Sequence, residues 1–341
     1  MFYKLKKAII QKALDYKKKH QPFNEVECEL FEVPEDASHL INSSFFLGGH
    51  TVTGETITMR FGYRNGSDHE IFILYRHNGK LLYMESDHYP KAEFPADAKC
   101  ITVGKHWLYT FDGYLRDKEG NRYKVAFELN FKARLPIYDF TQSAETFEGM
   151  TRAIAREKWS KAYFAELSEI NSRHYEQTGH IEGWIDVDGK RSDVCLMAAR
   201  DRAVCHRRWD YMDCHIWLNC VTEKGEALTF AIVNYPAMKN LYSGYTDFDS
   251  DRNATLVEYE NMQYDHNGGK GVDNFEVTTH WSNGKTLVIK AVRDENVLCT
   301  FDNGDYIFQE GLGQFTINGT PARGNMEFGY NHDPKRWSEY K

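Results

Sequence analysis

Short runs rich in Phe, Tyr, Ile, Val and Thr recur along the chain, punctuated by Asn-Gly or Asp-Gly pairs that begin at residues 65, 78, 112, 188, 267, 283, 303 and 318. Such pairs accept the positive φ that two-residue hairpin turns demand, so most are expected to join antiparallel strands. EIFILYRH-NG-KLLYMESD and TTHW-SNG-KTLVIKAV are the clearest cases. Two stretches break this pattern with a helical period. Residues 2–19 place Phe2, Leu5, Ile9, Ala13 and Tyr16 on one stripe, with seven lysines elsewhere. Residues 143–171 open with Ser143, a good N-cap, and then carry Phe147, Met150 and Ile154, followed by Trp159, Tyr163, Leu167 and Ile170, at helical spacing. The pattern predicts an all-β protein of hairpins and meanders, with an N-terminal amphipathic helix and a helical connector near the middle.

An internal comparison sharpens this picture. FFLGGHTVTGETITMRF (45–61) aligns without gaps on IWLNCVTEKGEALTFAI (216–232). Leu47/Leu218, Thr51/Thr222, Gly54/Gly225, Glu55/Glu226 and Thr58/Thr229 are identical, at an offset of 171 residues in a chain of 341. Tandem duplication of a β module is therefore expected. It divides the chain into an N-terminal helix (1–22), a first β domain (23–141), a helical linker (142–173) and a second β domain (174–341).

Composition and charge narrow the possible functions. The formal charge of −8 argues against nucleic-acid binding through bulk charge. No apolar run approaches the ~18 residues of a membrane span, and lysines stand where a signal peptide would be apolar. Seven cysteines, an odd number without an export signal, predict reduced thiols and a cytoplasmic setting. Four of them, Cys195, Cys205, Cys214 and Cys220, are spaced too widely for the usual zinc pairs, so buried strand cysteines are expected and no metal. The basic N-terminal helix suits an anionic membrane surface, and equally suits capping a barrel or packing on the acidic body.

The densest polar and aromatic stretch is RDRAVCHRRWDYMDCHIWLN (200–219). In a strand, Asp213, His215, Trp217 and Asn219 share one face, opposite Met212, Cys214, Ile216, Leu218 and Cys220. The repeat alignment sets Asp213, His215 and Trp217 against Asn42, Ser44 and Phe46, so the second copy gains a carboxylate and an imidazole. An Asp beside a His can orient the ring for acid–base work near neutral pH, and Trp217 could stabilise a developing cation. The competing reading fills the barrel with the apolar face and leaves these polar groups outside it or between the domains. Arg200, Asp201, Arg202, Arg207 and Arg208 suit either an anionic ligand or an ion-pair network. The stretch 242–269 brings Tyr242 and Tyr245 as candidate ligand contacts; its Asp247, Asp249 and Asp251 lack the glycine and glutamate of a calcium loop. No Walker loop, G-x-S-x-G elbow, G-x-G-x-x-G fingerprint or H-E-x-x-H motif occurs, so no cofactor is expected.

The segment HYEQTGHIEGWIDVDGKRSDVCLMAARDRAVCHRR (174–208) resembles the AttH and carotenoid 1,2-hydratase superfamily. Glu176, Gln177, Gly179, Gly183 and Asp188-Gly189 match its pattern, and Arg200, Asp201 and Arg207 fill the outer positions of its Arg-Asp-His-Ser-Trp-Gly-x-Arg run. Arg202, Ala203, Val204 and Cys205 depart from the inner positions. SSFFLGG (43–49) and GNMEFGY (324–330) resemble the family's opening and closing strands more weakly. The resemblance implies two lipocalin-like barrels or sandwiches joined by a helix. It also implies a cofactor-independent hydratase or cyclase, a lyase or isomerase acting on a hydrophobic isoprenoid- or polyketide-like molecule. The candidate catalytic residues are then Asp201, Asp213 and His215, with Arg200, Arg208, Trp209, Trp217, Tyr242 and Tyr245 binding substrate. A carrier of lipophilic ligands is the alternative, and the oligomeric state stays open.

Overall fold

The structure, a computed structural model, describes residues 2–34, 37, 40–65, 68–84, 88–140, 143–169, 172–206, 209–264, 272–301 and 304–338. The N-terminal part contains helices α1 (Phe2–His20) and α2 (Glu25–Glu29), then strands β1 (Leu40–Gly49), β2 (Thr56–Tyr63), β3 (His69–His77), β4 (Lys80–Met84), β5 (His88–Tyr89), β6 (Ala96–Thr102), β7 (His106–Arg116), β8 (Arg122–Ala133) and β9 (Tyr138–Asp139). Helices α3 (Ala144–Arg156) and α4 (Lys161–Glu169) follow, then the long hairpin β10 (Ser172–Val187) and β11 (Lys190–His206). The C-terminal part is an unbroken meander: β12 (Cys214–Thr222), β13 (Ala227–Tyr235), β14 (Met238–Thr246), β15 (Ala254–Tyr264), β16 (Asn274–Trp281), β17 (Thr286–Phe301), β18 (Tyr306–Ile317) and β19 (Thr320–Asn331).

Two antiparallel barrels result, each of eight strands. In the first, β11 pairs with both β1 and β10, closing the ring β1-β2-β3-β4-β7-β8-β10-β11. In the second, β12 pairs with β13 and β19. The duplication and the all-β class expected from sequence are borne out. The expected domain boundary is corrected: residues 174–206 supply the last two strands of the first barrel, and the barrels part between His206 and Cys214. The helical connector is an insertion within the first barrel, packed against β14 of the second. It is also two helices, capped at Ser143, whose hydroxyl accepts from Thr146 N–H at 3.1 Å, and broken over 157–160.

Turn chemistry accounts for several of the hairpins. Asn78-Gly79, Asp188-Gly189 and Asn318-Gly319 all hold positive φ at both residues, as two-residue turns require. Asp112-Gly113 instead lies inside β7, and Gly113 is needed because a Cβ would sit 2.6 Å from the Phe111 ring.

Both lumens are packed. Phe46, Met59, Phe61, Trp107, Leu129 and Ile181 belong to the first core, and Ile216, Leu218, Phe230, Phe275, Ile289 and Phe328 to the second. The first barrel also encloses a polar cluster delivered by α2. The Glu29 carboxylate accepts from Arg200 Nη2 at 3.0 and 3.1 Å, Trp107 Nε1 at 2.7 Å, Tyr175 Oη at 2.9 Å and Gly104 N–H at 3.1 Å. Burial alone would raise the Glu29 pKa, but the Arg200 charge and these donors outweigh it and hold the carboxyl below its ordinary range.

The barrels meet side to side. The outer faces of β1 and β11 pack on β12 and β19, so β1 and β12 are buried on both faces almost throughout. Phe45 and Leu47 of β1 join Trp209, Met212, Tyr306 and Phe308 in an apolar cluster between the barrels. This geometry corrects the ungapped repeat alignment in its first strand. Phe46 points into the first lumen, whereas Trp217, its aligned partner, points out of the second barrel into the seam. The alignment is in phase over β2 and β13, where Met59 and Phe230 are both luminal, and one residue out of phase over β1 and β12. A one-residue slip turns every side chain of a strand to the opposite face.

Candidate active site in the seam between the barrels

Alternation along β10, β11 and β12 builds the site. On β11, Arg200 and Arg202 point into the first barrel, so Asp201 points out; on β10, Glu176 pairs directly across from Asp201. His174, two residues before Glu176, shares its face. On β12, Cys214, Ile216 and Leu218 fill the second lumen, and His215, Trp217 and Asn219 face the first barrel. The competing reading of these residues as lying between domains is the one the fold realises.

Three groups meet at one end of this seam. His174 Nε2 lies 3.5 Å from Asp201 Oδ2 and 3.8 Å from Glu176 Oε1. The Glu176 carboxyl is buried; its Oε2 accepts from the Thr229 hydroxyl at 2.5 Å, reaching across from the second barrel. Its Oε1 has no hydrogen-bond partner among the described residues. Loss of hydration, followed by the neighbouring Asp201 charge, pushes the Glu176 pKa well above its ordinary value. Phe140 stacks on the His174 ring at 4.8 Å and 3°, Trp217 lies 4.8 Å from it on another side, and Tyr138 stacks on Tyr245 at 5.1 Å next to Phe140. The buried Glu176 carboxyl thus lies beside a less buried Asp201 and His174, with the aromatic rings gathered around His174. The ligand atoms of His174, Glu176 and Asp201 lie within 4.8 Å of one another, a set that could also take a divalent cation.

The seam continues along β12, β18 and β19. His215 Nε2 bonds Glu327 Oε1 at 2.7 Å, and Nδ1 bonds Tyr306 Oη at 2.6 Å. Glu327 stands across from Trp217 on one side and Glu310 on the other. Burial, then the Glu327 charge, pushes the Glu310 pKa well above its ordinary value. Gly329 is required here, because an added Cβ would lie 2.2 Å from Cε1 of His215 and 2.5 Å from the Tyr306 ring. Trp209 stacks at 5.7 Å on Tyr306.

The candidates from sequence therefore divide. Asp201, Trp217 and Tyr245 come together around His174, and His215 and Trp209 lie farther along the same seam. Asp213 pairs with Arg336 (Nε to Oδ1, 2.8 Å), and the carboxylate bonded to His215 is Glu327, so the expected Asp213–His215 arrangement is replaced by one across strands. Arg200 is enclosed in the first barrel, committed to Glu29 and Gln177. Tyr242 sits under α3, with Arg152 over its ring and Tyr259 beside it. Arg208 lies outside the described residues. Sequence reasoning assigned no role to His174, Glu176, Glu310 or Glu327. Glu176 and Glu327 were visible within the matching segments 174–208 and 324–330, but pairing across β10–β11 and β12–β19 was needed to bring them in.

The two-barrel architecture is shared with solved structures of low sequence identity. A Nitrosomonas europaea protein assigned as AttH matches with 16% identity over 87% of this chain and 96% of its own, at a TM-score of 0.52. CghA matches with 9% identity over 85% and 87%, at 0.50. Kievitone hydratase of Nectria haematococca has 11% identity over 92% and 94%, at 0.48. The fold implied by residues 174–208 is thus the fold observed. No curated protein matches the sequence. The chain belongs to the family described as Domain of unknown function (DUF7064), whose model matches residues 52–332.

Proposed function

We propose that the protein is a cofactor-independent lyase or isomerase, of the hydratase or cyclase kind, that protonates a hydrophobic small molecule in the seam between its barrels. The observation that carries this reading is Glu176: a buried carboxyl, raised in pKa, with one oxygen uncommitted and its neighbour His174 set between the Phe140 and Trp217 rings. A protonated carboxyl in a dry site is a general acid at neutral pH. Glu176 gives its proton to an alkene carbon or carbonyl oxygen, and the Trp217 face stabilises the positive charge that develops. Water or an internal hydroxyl then attacks. Asp201, or His174 beside it, takes the proton released by that nucleophile and returns it to Glu176, so the cycle closes without a net change in the enzyme. His215, held by Glu327 and Tyr306, orients the far end of the substrate or its attacking oxygen.

The test is incubation of the protein with a panel of isoprenoid and polyketide alkenes in D2O, read by mass spectrometry. A product carrying one deuterium on a former double-bond carbon is expected, with turnover falling as pH rises through the pKa of the acid. Glu176→Gln abolishes turnover and leaves binding intact; Asp201→Asn and His215→Ala lower it. Binding without conversion throughout the panel would identify a carrier. Turnover lost to a chelator and restored by a divalent ion would move the chemistry to a metal held by His174, Glu176 and Asp201.

A further inference from the structure

Helix α1 has two apolar faces, and the protein uses only one of them. Ile10 and Leu14 pack into a cluster with Ile154 and Ala153 of α3, Tyr163 of α4 and Met238 of β14. Lys6 Nζ donates to Glu157 O at 2.6 Å, and Lys7 pairs with Glu148, so the rotation of the helix about its axis is fixed. The second stripe points outward. Phe2 is 80% exposed, Leu5 58%, Ile9 49% and Tyr16 66%. At about 100° per residue these four fall within an arc of roughly 60°, about 120° around the helix from the packed face. Lys12 and Lys19 border the stripe on one side and Lys17 on the other; with Lys4 they have no partner among the described residues. The helix carries seven lysines against Asp15, while the whole chain is at −8, so the remaining body is strongly acidic.

We propose that α1 docks the protein, in its plane, on an anionic lipid bilayer. An outward apolar stripe edged by uncommitted lysines matches the acyl boundary and the anionic headgroups in one geometry. The acidic body opposes any other approach, so charge selects this face. The alternative occupant is a second copy of the chain, in which a self-complementary pair would set two like-charged helices against each other and draw no attraction from the lysines.

Cosedimentation of the full chain with phosphatidylcholine vesicles, with and without phosphatidylserine, tests this. Binding is expected only with phosphatidylserine and is expected to weaken at high salt. The Leu5→Ser/Ile9→Ser variant and the Lys12→Gln/Lys17→Gln/Lys19→Gln variant should each reduce binding about tenfold or more. Both change exposed positions, and an unaltered circular dichroism spectrum shows that each is folded. The proposal is overturned if the wild type does not bind phosphatidylserine vesicles, or if both variants bind as the wild type does. It is equally overturned if light scattering shows a dimer that Leu5→Ser/Ile9→Ser converts to monomer.

Discussion

Removing the Glu29 carboxylate isolates one interaction that holds the first barrel. Glu29 and Arg200 are 2% and 1% exposed, and in Glu29→Ala the guanidinium keeps its charge in the barrel without a counter-ion. Removing one partner of a buried pair costs about 3–5 kcal/mol. The Trp107 and Tyr175 donors lose their acceptor as well, which favours the upper half of that range. At roughly 2–4 °C per kcal/mol for a domain of 150–250 residues, the melting temperature should fall by roughly 6–20 °C. Glu29→Gln keeps one acceptor oxygen, for Trp107, and turns an amide NH2 toward the Tyr175 hydroxyl, which can accept from it, so it should lose about half as much. Glu29→Met/Arg200→Met removes both charges and should recover most of the loss, because an apolar replacement spares the desolvation of both ions. The linkage to pH has one sign. The Glu29 pKa is lowered on folding, so its stabilisation is present above the ordinary carboxylate range and is lost as pH falls below it. Urea unfolding followed by tryptophan fluorescence measures each variant. A loss under about 1 kcal/mol in Glu29→Ala, or a double variant no better than the single, would refute the reasoning.

Other outcomes follow from the same geometry. Glu70 lies between Arg60 and Arg64; burial opposes its ionisation, but the two guanidiniums win and lower its pKa to about 2, so its contribution, on the order of 3 kcal/mol, should disappear between pH 4.5 and 2 and be absent from the acid limb of Glu70→Gln. Asp247, buried against Ala227 N–H and paired with Arg134, is pushed by burial up to about 6; the folded state therefore loses stability as pH rises from about 4 to about 6, and Asp247→Asn should flatten that slope in urea midpoints taken from about pH 4 to 7. Gly329→Ala should cost about 1–3 kcal/mol and move the His215 imidazole resonances, whereas unchanged resonances would disprove the close approach. Ser143→Ala should cost about 1 kcal/mol through loss of the α3 cap, measured by thermal melting.

Local chemistry was legible in the sequence, and long-range closure was not. Asn78-Gly79 and Ser143 announced a turn and a helix start, because backbone φ and capping depend on a few adjacent residues. Nothing local shows that β11 pairs with β1, since Leu40 meets His206 across the whole first module. The repeat was visible, but its identities cluster in the turn and the second strand, leaving the phase of the first strand unfixed. That phase decided which side chains the alignment made equivalent to His215 and Trp217. Alternation did place His215 and Trp217 on one face of β12, with Asp213 just before its first residue. Their partners, Glu327, Tyr306 and Arg336, come from strands and turns about 90 to 120 positions later, and no sequence spacing encodes that meeting.

Closure through β10 and β11 also governs how the molecule can be made on a ribosome. When Ala133 has emerged, six of the eight staves of the first barrel exist, and both lateral borders of that curved sheet still offer bare N–H and C=O groups. The two missing staves end at His206, about seventy residues later, so at roughly 5–20 residues per second the borders stay open for about 4–15 s. In the second barrel β12 also waits for β19, but once six staves exist at Phe301 only about thirty residues remain to Asn331, so the wait from that stage is less than half as long. Mispairing between neighbouring nascent chains should therefore begin at β1 and β8, and synthesis at high density is the condition under which aggregates of this protein should first appear.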